Sequence, residues 1–359
     1  MNVYFDQFYL NSRSASALLL KDRVRHDNCK DVVIFCTKTV YKGTFEEDVL
    51  DTRIRTNYLF SFNNTLKLYV GFFLFMIFNN RKVDKVISFS SPGFNVLFHG
   101  YSFWSKRTTY VIQDVFPENI GLIFPAFLKL RYFWRPIFKL AYRRMSSLEI
   151  ISLDMAKFLK KIYNVDAIIR YNTNPYPPNL EDKAKDDLSQ DNDKVIFGYS
   201  GNFSNSHGLI GPKNLLEVLC EFDEIEINVR GFGKYFDLLS KDPKFSNTIL
   251  FGGSMDSKEY ERYLNRLDVL LLFQEDGFEK VCLSCKFNTV IELGKPIVYI
   301  GPHCDISRYI TLLDIGIHLL PSDPKEIIKQ RLTNFIDNLS ECKEKARLNE
   351  SYDLNALFC

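Results

Sequence analysis

Residues 284–298 read SCKFNTVIELGKPIV. A lysine, Lys286, heads what reads as one short helix, the helix closes on Gly294-Lys295-Pro296, and an apolar β-branched run follows at once. Gly294 supplies the helix stop and Pro296 prevents continuation. A helix delivered directly into an apolar strand is one half of an α/β unit. A cation at a helix start opposes the helix dipole, so the arrangement predicts a negative group beside it.

Working outward, the same alternation fills the C-terminal half. Strand-type runs occur at VIFGYSGN (195–202), EIEINVRGFG (224–233), TILFGG (248–253), DVLLLF (268–273), KPIVYIGP (295–302) and GIHLL (316–320), with helical patterns such as SKEYERYLNRL (257–267) between them. The N-terminal half alternates likewise: NVYF (2–5), a helical stretch around Ala15–Arg25, DVVIFC (31–36), a helix-length segment from Asn64 to Asn79, KVISFS (85–90), TTYVIQD (108–114) and LEIIS (148–152). Apolar strands separated by helices indicate mainly parallel sheets covered on both faces. Between the halves, residues 172–193 carry three prolines and many acids but almost no large apolar side chain, the composition of a linker. The fold class is therefore α/β, with two doubly wound Rossmann-like domains facing across a cleft. The expected boundaries are a domain over 1–171, the linker, a domain over 194–340, and a tail over 341–359 packing back on the first domain.

The chain has 359 residues, enough for two such domains with real cores. A formal net charge of +2 gives no case for nucleic acid, which calls for a strong basic excess. Eight scattered cysteines with one isolated Cys282-x-x-Cys285 pair read as reduced thiols rather than a zinc site. The opening MNVYFDQFYLNSRS lacks the basic start and apolar run of a signal peptide, and LYVGFFLFMIF (68–78) is too short to span a bilayer. These features predict a cytoplasmic protein. The segment 121–145, GLIFPAFLKLRYFWRPIFKLAYRRM, holds six basic residues and no acid, with Arg135, Lys139 and Arg143 at four-residue spacing among aromatics. Such a face suits an anionic membrane surface, although a core helix with snorkelling cations has the same pattern.

Ligands of doubly wound sheets bind beyond the carboxyl ends of the strands. Three loops there suit an anion. In GYSGNFSNSHG (198–208), Gly201 and Asn202 end a strand and His207 precedes the next helix; an ordinary turn reads equally from the same residues. In VRGFGKYFDLL (229–239), Gly231 and Gly233 form a Gly-x-Gly turn that lacks the third glycine of the dinucleotide fingerprint. In the opening stretch, Ser284 and Lys286 face the same edge. Together the three point to a nucleotide diphosphate. In the first half, Gln113 and Asp114 end a strand, where Asp114 either orients or deprotonates a hydroxyl or caps the next segment. Ser12, Arg13 and Ser14 follow the first strand, as cleft residues or as a capped helix start.

The order of these motifs resembles the family-four glycosyltransferases of the GT-B fold, of the bacterial surface-polysaccharide type. The matching stretches are SSPGFNVL (90–97), VIQDVFPENIG (111–121), EIISLDMAKFLKKIYNV (149–165), YSGNFSNSHG (199–208), VRGFGKYFDLL and LSCKFNTVIELGKPIVYIGP, covering roughly residues 1 to 345. The resemblance implies transfer of a hexose-type sugar from a nucleoside-diphosphate sugar to a glycan or lipid-linked acceptor, as in capsule or O-antigen synthesis, at the inner face of the membrane. It assigns Gly201, Asn202, His207, Gly231, Gly233, Ser284, Lys286, Thr289 and Glu292 to the donor. Ser12, Arg13, Ser14 and Gln113 fall on the acceptor side, and Asp114 and Lys286 at the reaction. No cofactor and no obligatory metal are expected, since no Asp-x-Asp ends a strand. Two departures stand out. Val281 and Thr289 occupy the places of a glutamate pair, and Asn202 and His207 those of an arginine and a lysine. A nucleotide-sugar epimerase of the same architecture and an inactive sugar-nucleotide-binding partner are the alternatives.

Overall fold

A computed structural model describes residues 1–6, 20, 23–24, 31–37, 56–62, 64–90, 93–171, 194–284 and 286–349. They divide into two units. The first holds the described residues up to 171 together with Lys280–Leu283, and the second holds the rest. The expected linker, most of the first expected helix, and residues 350–359 of the expected tail lie outside the described residues. The described start of that tail forms a helix whose Leu339 and Cys342 sit in the core of the second unit.

In the first unit, seven strands form one parallel sheet: β1 (Asn2–Phe5), β2 (Val32–Thr37), β3 (Thr56–Phe62), β4 (Lys85–Phe89), β5 (Thr108–Ile112), β6 (Ser147–Ile150) and β7 (Ile168–Ile169), in the order β3-β2-β1-β4-β5-β6-β7. All five residues of β5 are buried, as continuous apolar strands in a doubly covered sheet require. Helix α1 (Thr65–Asn79) begins where the Asn64 side chain accepts from the Lys67 amide at 2.9 Å. Its Leu68, Phe72 and Met76, four apart, bury against Val3, Phe5, Val33 and Phe35. Phe72 meets Phe5 and Phe35 edge-on, each with ring centroids 5.0 Å apart.

Helix α2 (Asn95–Gly100) follows β4, and α3 (Glu118–Ile123), α4 (Pro125–Leu128) and α5 (Arg131–Arg144) carry the basic aromatic segment. Pro125 starts α4 and Pro136 lies inside α5, so the segment is several helices rather than one. Arg135 does not share an outward face with Arg143. It turns inward and grips the buried Glu118 through Nε and Nη2, at 2.8 and 3.2 Å, while the Tyr163 hydroxyl donates to the same carboxylate at 3.1 Å. An unpaired buried carboxylate would be costly, and this recruits the guanidinium. Helix α6 (Leu153–Tyr163) starts with the Ser152 hydroxyl accepting from the Met155 amide at 3.2 Å and ends at Asn164 in the left-handed region, φ 51°.

The second unit repeats the plan with six parallel strands: β8 (Val195–Asn202), β9 (Ile225–Phe232), β10 (Ile249–Gly252), β11 (Val269–Phe273), β12 (Ile297–Ile300) and β13 (Gly316–Leu319), ordered β10-β9-β8-β11-β12-β13. Its helices are α7 (Ile210–Leu219), α8 (Lys234–Ser240), α9 (Ser257–Arg266), α10 (Lys286–Glu292), α11 (Asp305–Leu313), α12 (Lys325–Asp337) and α13 (Leu339–Leu348). The joint read at Gly294-Lys295-Pro296 has a second duty. Gly294 adopts φ 60°, and the Lys295 ammonium donates to the carbonyls of Leu264 and Asn265 at 2.8 and 2.6 Å and also to that of Leu267. It thus caps the C-terminal end of α9, where orphan carbonyls favour a cation.

Both sheets reverse direction beside their first strand, between β1 and β4 and between β8 and β11. Such switch points open a crevice at the carboxyl edge. Replacing Phe72 by alanine removes the aromatic keystone of the first unit and should cost about 3–5 kcal/mol, read as an earlier denaturant midpoint for that unit in chemical unfolding.

Candidate functional site

At the carboxyl edge of the second sheet, β8 and β9 stay paired to their last residues, with Gly201 opposite Gly231 and Asn202 opposite Phe232. Gly201 and Gly231 adopt φ 144° and 152°, and a Cβ added at Gly231 would collide with the Gly201 carbonyl oxygen. Gly233, φ 112°, leaves room for Asn202: an added Cβ would lie 2.5 Å from its Oδ1. Only glycine fits this close strand approach. Without side chains there, Gly201 and Gly233 stay partly exposed at the strand ends.

Lys286, the first residue of α10, lies over that gap. A Cβ at Gly201 would sit 2.5 Å from its Nζ, and the Nζ is 5.1 Å from the centroid of the Tyr199 ring, a cation–π distance. Tyr199 in turn packs on Phe203 and Phe273, with centroids 4.3 and 4.8 Å away. The lysine thus rests on an aromatic floor rather than extending into solvent alone.

His207 completes the loop after β8. Its Nδ1 accepts from the Ser204 amide at 3.4 Å and lies 3.3 Å from the hydroxyls of Ser204 and Ser206. Burial, and then the Lys286 charge, push the imidazole down to about 3. The ring is therefore neutral at physiological pH. An accepting Nδ1 places its proton on Nε2, which makes that atom a donor.

The loop after β11 joins across the switch point: the Glu275 amide donates to the Ser206 carbonyl at 2.8 Å, and Gly208, φ 68°, makes room for the Glu275 carboxylate. Burial, followed by the charge of Asp276, raises that carboxyl above its ordinary value. Gly201, Asn202, His207, Gly231, Gly233 and Lys286 are thus brought together. Ser284 lies just ahead of α10, its carbonyl accepting from the Phe287 amide at 3.1 Å. Thr289 is buried one turn along α10, and Glu292 is turned about 120° round the helix from Lys286.

In the first unit, Gln113 and Asp114 follow β5, and their amides both donate to the buried Ser90 hydroxyl, at 3.0 and 3.2 Å. Asp114 bridges Cys282 in antiparallel fashion, and the Val115 amide donates to the Val281 carbonyl at 2.8 Å. The Asp114 side chain keeps water contact, yet the protein crowded around it depletes its solvation and pushes the carboxyl up to about 6. Ser12, Arg13 and Ser14 lie outside the described residues. Among the described residues no group of three or more histidine, cysteine or acidic side chains is placed to hold a metal ion, and Cys36, Cys220, Cys282, Cys304 and Cys342 are all thiols.

Sequence reading passed over Tyr199, Ser90 and Glu275. Tyr199 has the pattern of any strand aromatic. The Ser90-Ser91-Pro92-Gly93 run at a strand end was the available signal for Ser90. Nothing local marks Glu275, because its partner loop lies about seventy residues away.

No protein-family model and no curated protein sequence matches the chain. Solved structures do match, over nearly the whole length. WaaG, a glycosyltransferase involved in lipopolysaccharide biosynthesis, aligns with TM-score 0.65 and 13% identity, covering 99% of this chain and 96% of that one. HepE from Anabaena, in complex with UDP-glucose, aligns with TM-score 0.66 and 17% identity, covering 98% and 93%. Sucrose-phosphate synthase from Thermosynechococcus elongatus aligns with TM-score 0.67 and 11% identity, covering 99% and 96%. The fold is the two-domain α/β fold of GT-B glycosyltransferases.

The His207 ring signals should stay flat between pH 5 and 9 in an NMR titration, and Lys286→Met should raise the ring's titration point by removing the neighbouring charge.

Proposed function

We propose that the protein is a glycosyltransferase moving a hexose-type sugar from a nucleoside-diphosphate sugar to a glycan or lipid-linked acceptor in surface polysaccharide synthesis. The observation that carries this reading is the Lys286 ammonium lying against the Gly201 backbone, at the switch point of a doubly wound sheet. Glycine-opened main chain plus one cation suits a diphosphate, which needs both hydrogen-bond donors and charge. HepE's complex with UDP-glucose, on the same fold, supports a nucleotide sugar as the donor. The motif order supports assignment to the family-four type.

In this reading the acceptor hydroxyl oxygen forms a bond to the anomeric carbon as the bond from that carbon to the diphosphate breaks. The nucleoside diphosphate leaves with the electron pair. Lys286 and the loop amides stabilise its growing charge, a form of catalysis worth about two to three orders of magnitude per group. His207, neutral and donating from Nε2, and Asn202 add polar contacts without more charge, while Gly231, Gly233, Ser284, Thr289 and Glu292 line the donor. Asp114, with Gln113 beside it, orients the acceptor hydroxyl or takes its proton; a carboxyl near 6 is ionised at neutral pH and still basic enough to help. Ser12, Arg13 and Ser14 stay with the acceptor. We assign no metal or cofactor to the reaction.

The acceptor side extends to a membrane. Segment 121–145 keeps Phe124, Tyr132, Phe133 and Ile137 exposed, together with Arg131, Arg143 and Arg144. Peripheral contact with anionic lipid at the inner face of the membrane follows from that composition. No described helix is long and apolar enough to cross a membrane.

Incubation with a panel of sugar nucleotides tests the reading. A transferase releases nucleoside diphosphate and free sugar by slow hydrolysis, an epimerase interconverts the sugar, and an inactive partner binds without turnover. Lys286→Ala should lower the turnover by about a hundredfold or more while leaving the unfolding curve unchanged; unaltered turnover removes its role. Activity should rise with pH through about 6 as Asp114 ionises, and Asp114→Asn should abolish that limb of the pH profile.

A further inference from the structure

Helix α1 is apolar on two faces. Leu68, Phe72 and Met76 enter the core, yet Leu66, Val70, Phe73, Leu74, Ile77 and Phe78 are exposed, Phe78 by 81%. These six recur at helical spacing and form one stripe along the outer side. A helix that is apolar all round belongs under cover, and a continuous apolar surface of this kind marks an interaction site.

The stripe does not stop at α1. Phe73 faces Phe103, itself half exposed, with ring centroids 6.4 Å apart. Two residues earlier, the Tyr101 hydroxyl donates to the Ile137 carbonyl of α5 at 3.0 Å, and the Arg144 guanidinium lies 5.7 Å from the Tyr101 ring centroid. On α5 the surface continues with Tyr132 and Phe133, exposed by 72% and 75%. Phe103 and Tyr101 thus bridge two helices into one aromatic face.

Among the described residues its charge is predominantly positive, and Asp84, the exposed acid that follows α1, is paired with the Met1 amino group. Segments 64–83, 93–113 and 119–148 contain no aspartate or glutamate. Lys67, Arg81, Lys82, Arg131, Arg143 and Arg144 are all exposed around it. A second copy docking by a two-fold axis would set these cations against their own equivalents. An anionic bilayer instead offers apolar depth beneath a negative surface, complementary on both counts.

We infer that α1, through Leu66, Val70, Phe73, Leu74, Ile77 and Phe78, is a membrane-inserting element that lies in the plane of an anionic bilayer, with Tyr101 and Phe103 joining it to segment 121–145. This rests on the membrane contact proposed for that segment and adds a second anchor to it. With 15 residues, α1 is too short to span the bilayer and long enough to lie in its surface.

Flotation of the full chain with phosphatidylcholine vesicles, with and without phosphatidylglycerol, tests the inference without any sugar chemistry. The protein should float with the anionic vesicles. Leu74→Ser/Phe78→Ser should weaken that binding by about tenfold or more, and Arg143→Gln/Arg144→Gln should weaken it in a salt-sensitive way. Both substituted residues of the first pair point outward, so an unchanged unfolding curve verifies the fold. In Phe78→Trp, emission should shift to the blue when anionic vesicles are added, relative to the parent protein. Full binding by Leu74→Ser/Phe78→Ser, with no shift in Phe78→Trp, overturns α1 as an anchor and leaves segment 121–145 to dock alone. Failure of the parent protein to float removes both docking readings and leaves the donor assay to judge sugar transfer. A concentration-dependent dimer that Leu74→Ser/Phe78→Ser dissociates shows that a second copy covers the face, and also overturns the inference.

Discussion

The pairing of β8 with β9 up to Gly201 and Gly231 is the constraint from which the site of the second unit follows. Parallel strands normally diverge at their ends as side chains enter the connecting loops. Here the carbonyl of one strand occupies the volume that a side chain on the other would need. The missing Cβ atoms let the two strand ends approach each other closely, and the lysine of α10 settles over Gly201. Its position depends in turn on the joint at 294–296, where Lys295 binds the end of α9 and the Pro296 carbonyl accepts from the Leu270 amide at 2.9 Å. The helix carrying Lys286 is therefore tied to two neighbours by residues that first read as a simple stop signal.

Electrostatics in the two units follow opposite routes. Glu118 is paid back for its burial by Arg135 and Tyr163, a closed set with both partners in hydrogen-bond contact. In the second unit, Lys286 lies over an aromatic ring and beside a histidine that its charge helps keep neutral. A closed ion pair stabilises a fold; a cation set over a glycine-lined strand end brings its field to bear on whatever binds there.

The strands were legible because their apolar runs are long and bounded by glycine and polar loops. The run read at 195–202 coincides with β8, and 268–273 with β11 to within one residue. Two were not: β3 (Thr56–Phe62), whose TNYLFSF lacks a long apolar run, and the two-residue β7, since a pair of isoleucines carries no period. Gly201, Gly231 and Lys286 could be set at one sheet edge from strand ends alone. What pattern could not supply was partnership across distance: Arg135 with Glu118 seventeen positions away, or Glu275 with the loop of Ser206. Four-residue spacing located Arg135 on a helix but was silent about which neighbour lay beside it.

The encounter between Gly231 and Gly201 carries an evolutionary consequence. Because an alanine at 231 would strike backbone rather than side chain, no exchange of the residue opposite can relieve it; Gly201 already has nothing left to remove. Genetic reversion from such a lesion has to restore glycine at the same codon, whereas a crowding change in the surrounding aromatic floor has several neighbours that can shrink in compensation.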